Sequence, residues 1–76
     1  MPRFYFDVWE GAECMPDPEG LELDSLEAAE HEATQTVLTL GRDWLPRAWE
    51  VRVEVRDEQS QMRLTLRVTL TVERPG

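Results

Sequence analysis

An acidic run between Pro16 and Ala33 is the first place where residue types and spacing could support chemistry. Seven carboxylates and one histidine fall within it. Carboxylate oxygens are preferred calcium ligands, and paired carboxylates perform acid–base catalysis. A calcium loop of the EF-hand type that began at Asp17 would need glycine at its sixth position, where this chain has Glu22. A polar turn followed by the start of a helix, whose positive end favours acids, accounts for the run better.

Metal binding and nucleophilic catalysis are also poorly supported. His31, the only histidine, lies four residues after Glu27, so the two share one helical face. Together with the only cysteine, Cys14, they are too few to suggest a zinc site. No glycine-flanked nucleophile accompanies the histidine. We therefore predict no catalytic residue, metal ligand or cofactor, identify no small-molecule substrate, and expect that the protein is not an enzyme.

Aromatic and arginine side chains that alternate with apolar ones form the second candidate. Some RNA-binding domains stack bases on aromatic residues of a sheet. Tyrosine, tryptophan and arginine are also enriched at protein–protein hot spots. If the apolar residues of the strands face the helix, these side chains share the other face of the sheet, with five arginines and four acids. This near balance favours a solvated, ion-paired surface as the first interpretation, a protein contact as the second and a nucleic-acid contact as a distant third. The possible interaction face consists of Tyr5, Trp9, Arg52, Arg56, Arg63 and Arg67.

Strands are predicted where apolar and polar residues alternate. Residues 10–18 contain one glycine and two prolines and are predicted to form a loop. The sequence DEQSQ is predicted to connect the last two strands as a hairpin. The predicted strands cover about residues 3–9, a short edge segment at 21–23, residues 49–56 and residues 62–73.

A helix is predicted over about residues 25–44, because apolar residues recur there at spacings of three and four. Pro46 would end it. Asp24 followed by Glu27 matches a capping box, whereas Ser25 is the alternative cap residue.

The order β-β-α-β-β predicts a single α+β domain over residues 1–76. Its helix would lie on one face of a four-stranded antiparallel sheet, in two layers. The long final strand is expected to be central, because it has the most inward-facing residues. The predicted core comprises Phe4, Phe6, Val8, Leu21, Leu23, Leu26, Ala29, Ala33, Val37, Leu40, Trp44, Val51, Val53, Val55, Leu64, Leu66, Val68 and Leu70.

Charge and length narrow the classes of partner. The net charge is −8, and residues 1–32 alone hold ten acids and one arginine. This balance disfavours nucleic acid and anionic membranes as partners. No apolar stretch approaches the length of a membrane span and no leader is apparent, so we expect a cytoplasmic protein. One cysteine allows no internal disulfide. A domain this small must therefore depend on a well-packed core or on oligomerisation.

The segments MPRFYFDVWEG, PDPEGLELDSLEAAEHEA and WEVRVEVRDEQSQMRLTLRVTLTVE resemble a family of small bacterial proteins of unknown function. The resemblance covers nearly the whole chain. It implies the fold described above but no activity, ligand or catalytic residue. A weaker, architectural similarity is to HicB-like antitoxins, although their C-terminal DNA-binding segment has no counterpart here.

Three functions remain as hypotheses. The first is a non-catalytic protein-interaction module that forms a homodimer. The second is a HicB-like antitoxin or inhibitor whose acidic surface masks a basic toxin partner. The third is an RNA-binding sheet.

Overall fold

The computed structural model describes residues 1–76, and the chain folds as an antiparallel sheet with one helix packed on it. This confirms the predicted α+β fold. The sheet has five strands rather than four, in the order β2-β1-β4-β5, and β3 also pairs with β1. The elements are β1 (Arg3–Glu10), β2 (Glu13–Met15), β3 (Leu21–Glu22), α1 (Leu26–Trp44), β4 (Glu50–Arg56) and β5 (Met62–Thr69).

The additional strand, β2, lies inside the segment that was predicted to be a loop. The chain reverses at Gly11, whose φ of 60° suits a tight hairpin turn, and Glu13 then pairs with Glu10. All residues of β2 are exposed. They therefore lack the inward-facing apolar positions from which a strand is predicted.

The prediction that the final strand is central is wrong. β1 and β4 are the central strands, and β5 lies at one edge. Val51, Val53 and Val55 of β4 are fully buried, whereas the inward residues of β5 are only half-buried. The number of inward apolar residues reflects the length of a strand, while its place in the sheet depends on which strands flank it.

α1 packs mainly on β4 and β5. Its small buried residues Ala29 and Ala33 let the helix approach the sheet closely, and Val37 continues the same stripe. Fully burying each β4 valine contributes about 1.5–3 kcal/mol. Most other predicted core residues are half-buried around this centre, but Leu21 is 42% exposed. It lies on the two-residue strand β3 at the outer edge of β1, which α1 covers little.

The helix begins at the alternative cap residue, so the predicted Asp24–Glu27 capping box is wrong. Ser25 has extended backbone geometry, and its hydroxyl accepts a hydrogen bond from the Ala28 N–H at 3.0 Å. One N–H of the first helical turn is thereby satisfied.

α1, the only helix, is not long and apolar enough to cross a membrane.

Replacing the cap should distinguish these two residues. We expect Ser25→Ala to lower the free energy of unfolding by about 0.5–2 kcal/mol, because the Ala28 N–H loses its acceptor. Asp24→Ala is the matched control and should change stability by less than about 0.5 kcal/mol. Urea denaturation followed by circular dichroism measures both free energies of unfolding. A loss in Asp24→Ala as large as that in Ser25→Ala would contradict the assignment of Ser25 as the cap.

Candidate functional site

The face of the sheet opposite α1, here called the far face, brings together most of the predicted interaction residues. Strand register places Tyr5 beside Arg56 and Trp9 beside Arg52. Arg67 lies next to Arg52 on the other side. The predicted Arg63 lies apart from this group, at an irregularity in the pairing of β5, where it forms an ion pair of 3.5 Å with Asp57.

Trp9 is held by its neighbours on β4. The guanidinium of Arg52 lies 4.5 Å from the centre of the Trp9 ring, and the indole N–H donates to Glu54 Oε1 at 2.8 Å. Arg52 Nε lies 3.4 Å from Glu54 Oε2, close enough for an ion pair but without hydrogen-bond geometry. The Arg52 and Glu54 side chains are each only 20% exposed. These three residues therefore satisfy most of their charge and polarity within the chain.

Tyr5 has a similar environment beside a stronger ion pair. The Arg56 guanidinium lies 4.9 Å from the centre of the Tyr5 ring. Arg56 also donates two hydrogen bonds to the buried Asp7 carboxylate, Nε at 2.6 Å and Nη2 at 3.2 Å. This bidentate ion pair joins the central strands β1 and β4, and bidentate arginine–carboxylate pairs have a well-defined geometry.

The far face is consequently a network of compensated charges. Base stacking needs exposed aromatic faces and an excess of positive charge. Here one face of each ring carries an arginine, and those arginines are already paired with carboxylates. The geometry therefore favours the ion-paired face over the RNA-binding hypothesis.

Asp17 has a role in this network that the sequence did not suggest. Its N–H donates to Asp7 Oδ1 at 2.9 Å, and its own Oδ2 accepts the Phe6 N–H at 3.2 Å. That N–H lies on the edge of β1 between the short strands β2 and β3, where no strand supplies an acceptor. The carboxylate thus closes a gap in the strand pairing.

The sequence DPEG around Asp17 makes this arrangement possible. Asp17 Oδ1 accepts the N–H groups of Glu19 and Gly20, each at 3.1 Å. Gly20 has a φ of 72°, and a Cβ there would come within 2.9 Å of the Phe4 carbonyl oxygen. An aspartate two or three residues before a glycine was a usable signal for such a turn. This part of the acidic run therefore builds the fold.

The rest of the acidic run lies on the surface. His31 and Glu27 are both exposed on α1. No three or more His, Cys, Asp or Glu side chains come together in an arrangement that could hold a metal ion. Cys14 is exposed on β2 beside Trp9, and desolvation together with the charges of Asp7 and Glu54 raises the pKa of its thiol. A raised pKa makes a thiol less reactive.

The two edges of the sheet differ. The outer edge of β1 is covered by β2, Asp17 and β3, whereas β5 has no strand beyond it. Two backbone hydrogen bonds show which N–H and C=O groups of each strand point toward the neighbouring strand. They run from the Gly11 N–H to Glu50 O and from the Leu70 N–H to Trp49 O. Because this direction alternates along a strand, Thr65, Arg67 and Thr69 point their N–H and C=O groups away from the sheet.

Apolar side chains lie exposed where β5 ends. Trp49 is 53% exposed and Val72 is 57% exposed, and both line a shallow depression with Pro46 and Leu70. Large exposed apolar patches, especially those rimmed by polar residues, mark interaction sites. Here the patch adjoins the open edge of β5.

The chain matches a known protein family of unknown function. Residues 3–69 match the domain of unknown function DUF6894. The chain belongs to this family. No curated protein and no solved structure matches the chain.

The Asp7 and Asp17 carboxylates should make the stability of this DUF6894 domain sensitive to acid. The hydrogen bonds from Arg56 hold the pKa of Asp7 below its usual range. Partial burial would raise the pKa of Asp17, but the N–H groups of Gly20, Phe6 and Glu19 outweigh it and lower that pKa. A carboxyl whose pKa is lower when folded contributes stability above its unfolded pKa of about 3.9, and this contribution is lost as pH falls through the folded pKa.

We therefore expect the free energy of unfolding to fall steeply below about pH 4. Asp7→Asn should be less stable at pH 7 and should show a shallower dependence on pH between about 5 and 2. Urea titrations over that pH range test this, with the exposed Glu30→Gln as the control that keeps the wild-type slope. An unchanged slope in Asp7→Asn would contradict the role assigned to the pair.

Proposed function

We propose that this DUF6894 domain is a non-catalytic protein-interaction module that associates with a second copy of itself. The observation that carries the proposal is the free edge of β5, an eight-residue strand with no partner on its outer side. Exposed edge strands pair readily with another chain, since their N–H and C=O groups lack partners. Thr65, Arg67 and Thr69 supply these groups here.

The contrast between the two edges supports the proposal. The outer edge of β1 is protected by two short strands and by the Asp17 carboxylate. Proteins commonly protect edges with proline, inward-facing charges or pronounced bulges. β5 has an irregularity only at its beginning, near Arg63, and the residues from Leu64 to Thr69 pair regularly with β4. This leaves a regular template for strand addition.

The size of the domain supports self-association as well. A domain of 76 residues has a small core, and here only seven apolar residues are buried. A second copy would cover the half-buried inward residues of β5 and add to that core. Asp7 and Asp17, two of the groups with perturbed pKa values, are occupied by hydrogen bonds that hold the sheet, which is why the proposal is non-catalytic.

A second candidate, an antitoxin-like inhibitor of a basic partner, is favoured by where the unpaired charges lie. Six of the eight arginines form ion pairs within the chain. The acids Glu27, Glu30 and Glu32 are exposed on α1 and form none. The helix therefore presents negative charge that no group of the chain neutralises, which suits a positively charged protein surface.

Removing one outward N–H should test the self-association. We expect the wild-type mass to rise with concentration from 8.9 kDa toward twice that value in sedimentation equilibrium. Thr69→Pro should remain monomeric with an unchanged circular dichroism spectrum, because the N–H it removes makes no bond within the domain. Thr69→Ser keeps that N–H and is the matched control. A wild-type protein that stays monomeric at every concentration would sink the proposal.

The basic-partner candidate is tested by co-purification from the native cell with identification of the bound chain. The expected result is a basic protein that is lost from the triple variant E27Q/E30Q/E32Q and retained by the control E13Q/E58Q. Recovery of no basic chain, or equal recovery with both variants, would rule this candidate out.

A further inference from the structure

The segment that follows β5, Leu70 to Glu73, has the pattern of a strand but no partner strand in the chain. It continues the alternation of β5, with Leu70 and Val72 apolar and Thr71 and Glu73 polar. β4 begins only at Glu50, and the preceding residue, Trp49, turns the chain with a φ of 61°. The pairing of β4 and β5 therefore ends near Leu70, whose N–H bonds to Trp49 O.

We propose that Leu70 to Glu73 pairs with β5 of a second copy, so that residues 63–73 of the two chains form an antiparallel ladder centred on Val68. The inference rests on the proposed self-association and adds to it the register and the segment involved. If a two-fold axis perpendicular to the sheet relates the two edge strands, each residue lies opposite a residue of the second copy whose side chain is on the same face of the sheet. Both copies of α1 then lie on one side of a continuous sheet.

Charge disfavours two of the possible registers and favours two that form an ion pair. The charged residues of 63–73 are Arg63, Arg67 and Glu73. A ladder centred on Arg67 sets that residue against its own copy, and one centred on Thr65 sets Arg63 against Arg67. Like charges directly opposite one another destabilise a sheet. Centring on Val68 instead sets Arg63 opposite Glu73 of the second copy, twice in the dimer. Arg63 is the extra residue at the irregularity of β5, and its side chain, which also pairs with Asp57, is 42% exposed.

The apolar residues agree with the same register. Centring on Val68 sets Leu66 opposite Leu70, Leu64 opposite Val72, and Val68 opposite itself. Val72, which is 57% exposed in the single chain, would then be covered. A register centred on Leu70 also forms an ion pair, between Arg67 and Glu73, but it sets Leu66 opposite Arg74 and leaves Leu64 unpaired.

The backbone is compatible with this ladder as well. The residues with outward N–H and C=O groups pair with one another, Arg67 with Thr69 and Thr65 with Thr71. Val68 points its backbone groups inward to β4, so the two copies of Val68 form the close, non-hydrogen-bonded pair at the axis.

Charge exchange tests the register. Glu73→Arg should weaken the dimer by about tenfold, measured as the dissociation constant in sedimentation equilibrium, because two ion pairs become two repulsions. Adding Arg63→Glu should restore most of the lost affinity. Adding Arg67→Glu instead is the matched control and should not restore it. Circular dichroism and thermal melts of each variant establish that the single domain stays folded.

The outcomes separate this inference from the proposal on which it rests. A wild-type protein that never dimerises overturns both. A wild-type dimer that Thr69→Pro disrupts, but in which Arg67→Glu rather than Arg63→Glu rescues Glu73→Arg, keeps the self-association and overturns the register. A dimer that Glu73→Arg leaves unchanged shows that Leu70 to Glu73 takes no part in it.

Discussion

The two hydrogen bonds between Asp7 and Arg56 are the interaction on which the rest of this domain depends. They join the two central strands on the face that the helix does not cover. The same carboxylate accepts the Asp17 N–H and so anchors the loop that closes the outer edge of β1. A buried charge is tolerated only when it is paired and hydrogen-bonded, and Asp7 meets both conditions. Removing either partner would leave the other uncompensated, and removing Asp7 would also leave the Asp17 N–H without its acceptor.

This arrangement gives the two edges of the sheet different properties. On the side of β1, a side-chain carboxylate substitutes for a missing strand at Phe6, so neither an open backbone N–H nor a regular pairing surface remains there. On the side of β5, the strand pairs regularly with β4 from Leu64 to Thr69, and its outward backbone groups have no partner strand. The charged and aromatic groups of the far face are paired with one another within the chain, whereas the outward backbone groups of β5 have no partner in it.

The aromatic residues show why a residue pattern does not by itself define a surface. Tyr5 and Trp9 were recognised from the sequence as exposed candidates beside arginines, and the sheet does bring these residues together. Each arginine lies over a ring and is also paired with a carboxylate of the same chain. The availability of a hot-spot residue type depends on its neighbours across the strands, which only the register defines.

The sequence by itself determined the α+β class, the approximate extent of the helix, of β1 and of β4, and most of the core, because these follow from periodicities of two and of 3.6 residues that are local. The last strand ends at Thr69, earlier than the predicted residue 73. It also limited the helix start to two adjacent candidates. The tertiary structure alone decided the strand order, the presence of β2, the choice of Ser25 as the cap and the role of Asp17. Each of these depends on a contact between residues distant in sequence or on a backbone direction that periodicity does not specify. The open edge of β5 is such a feature, because whether a strand lies at the edge of a sheet depends on which other strands pair with it.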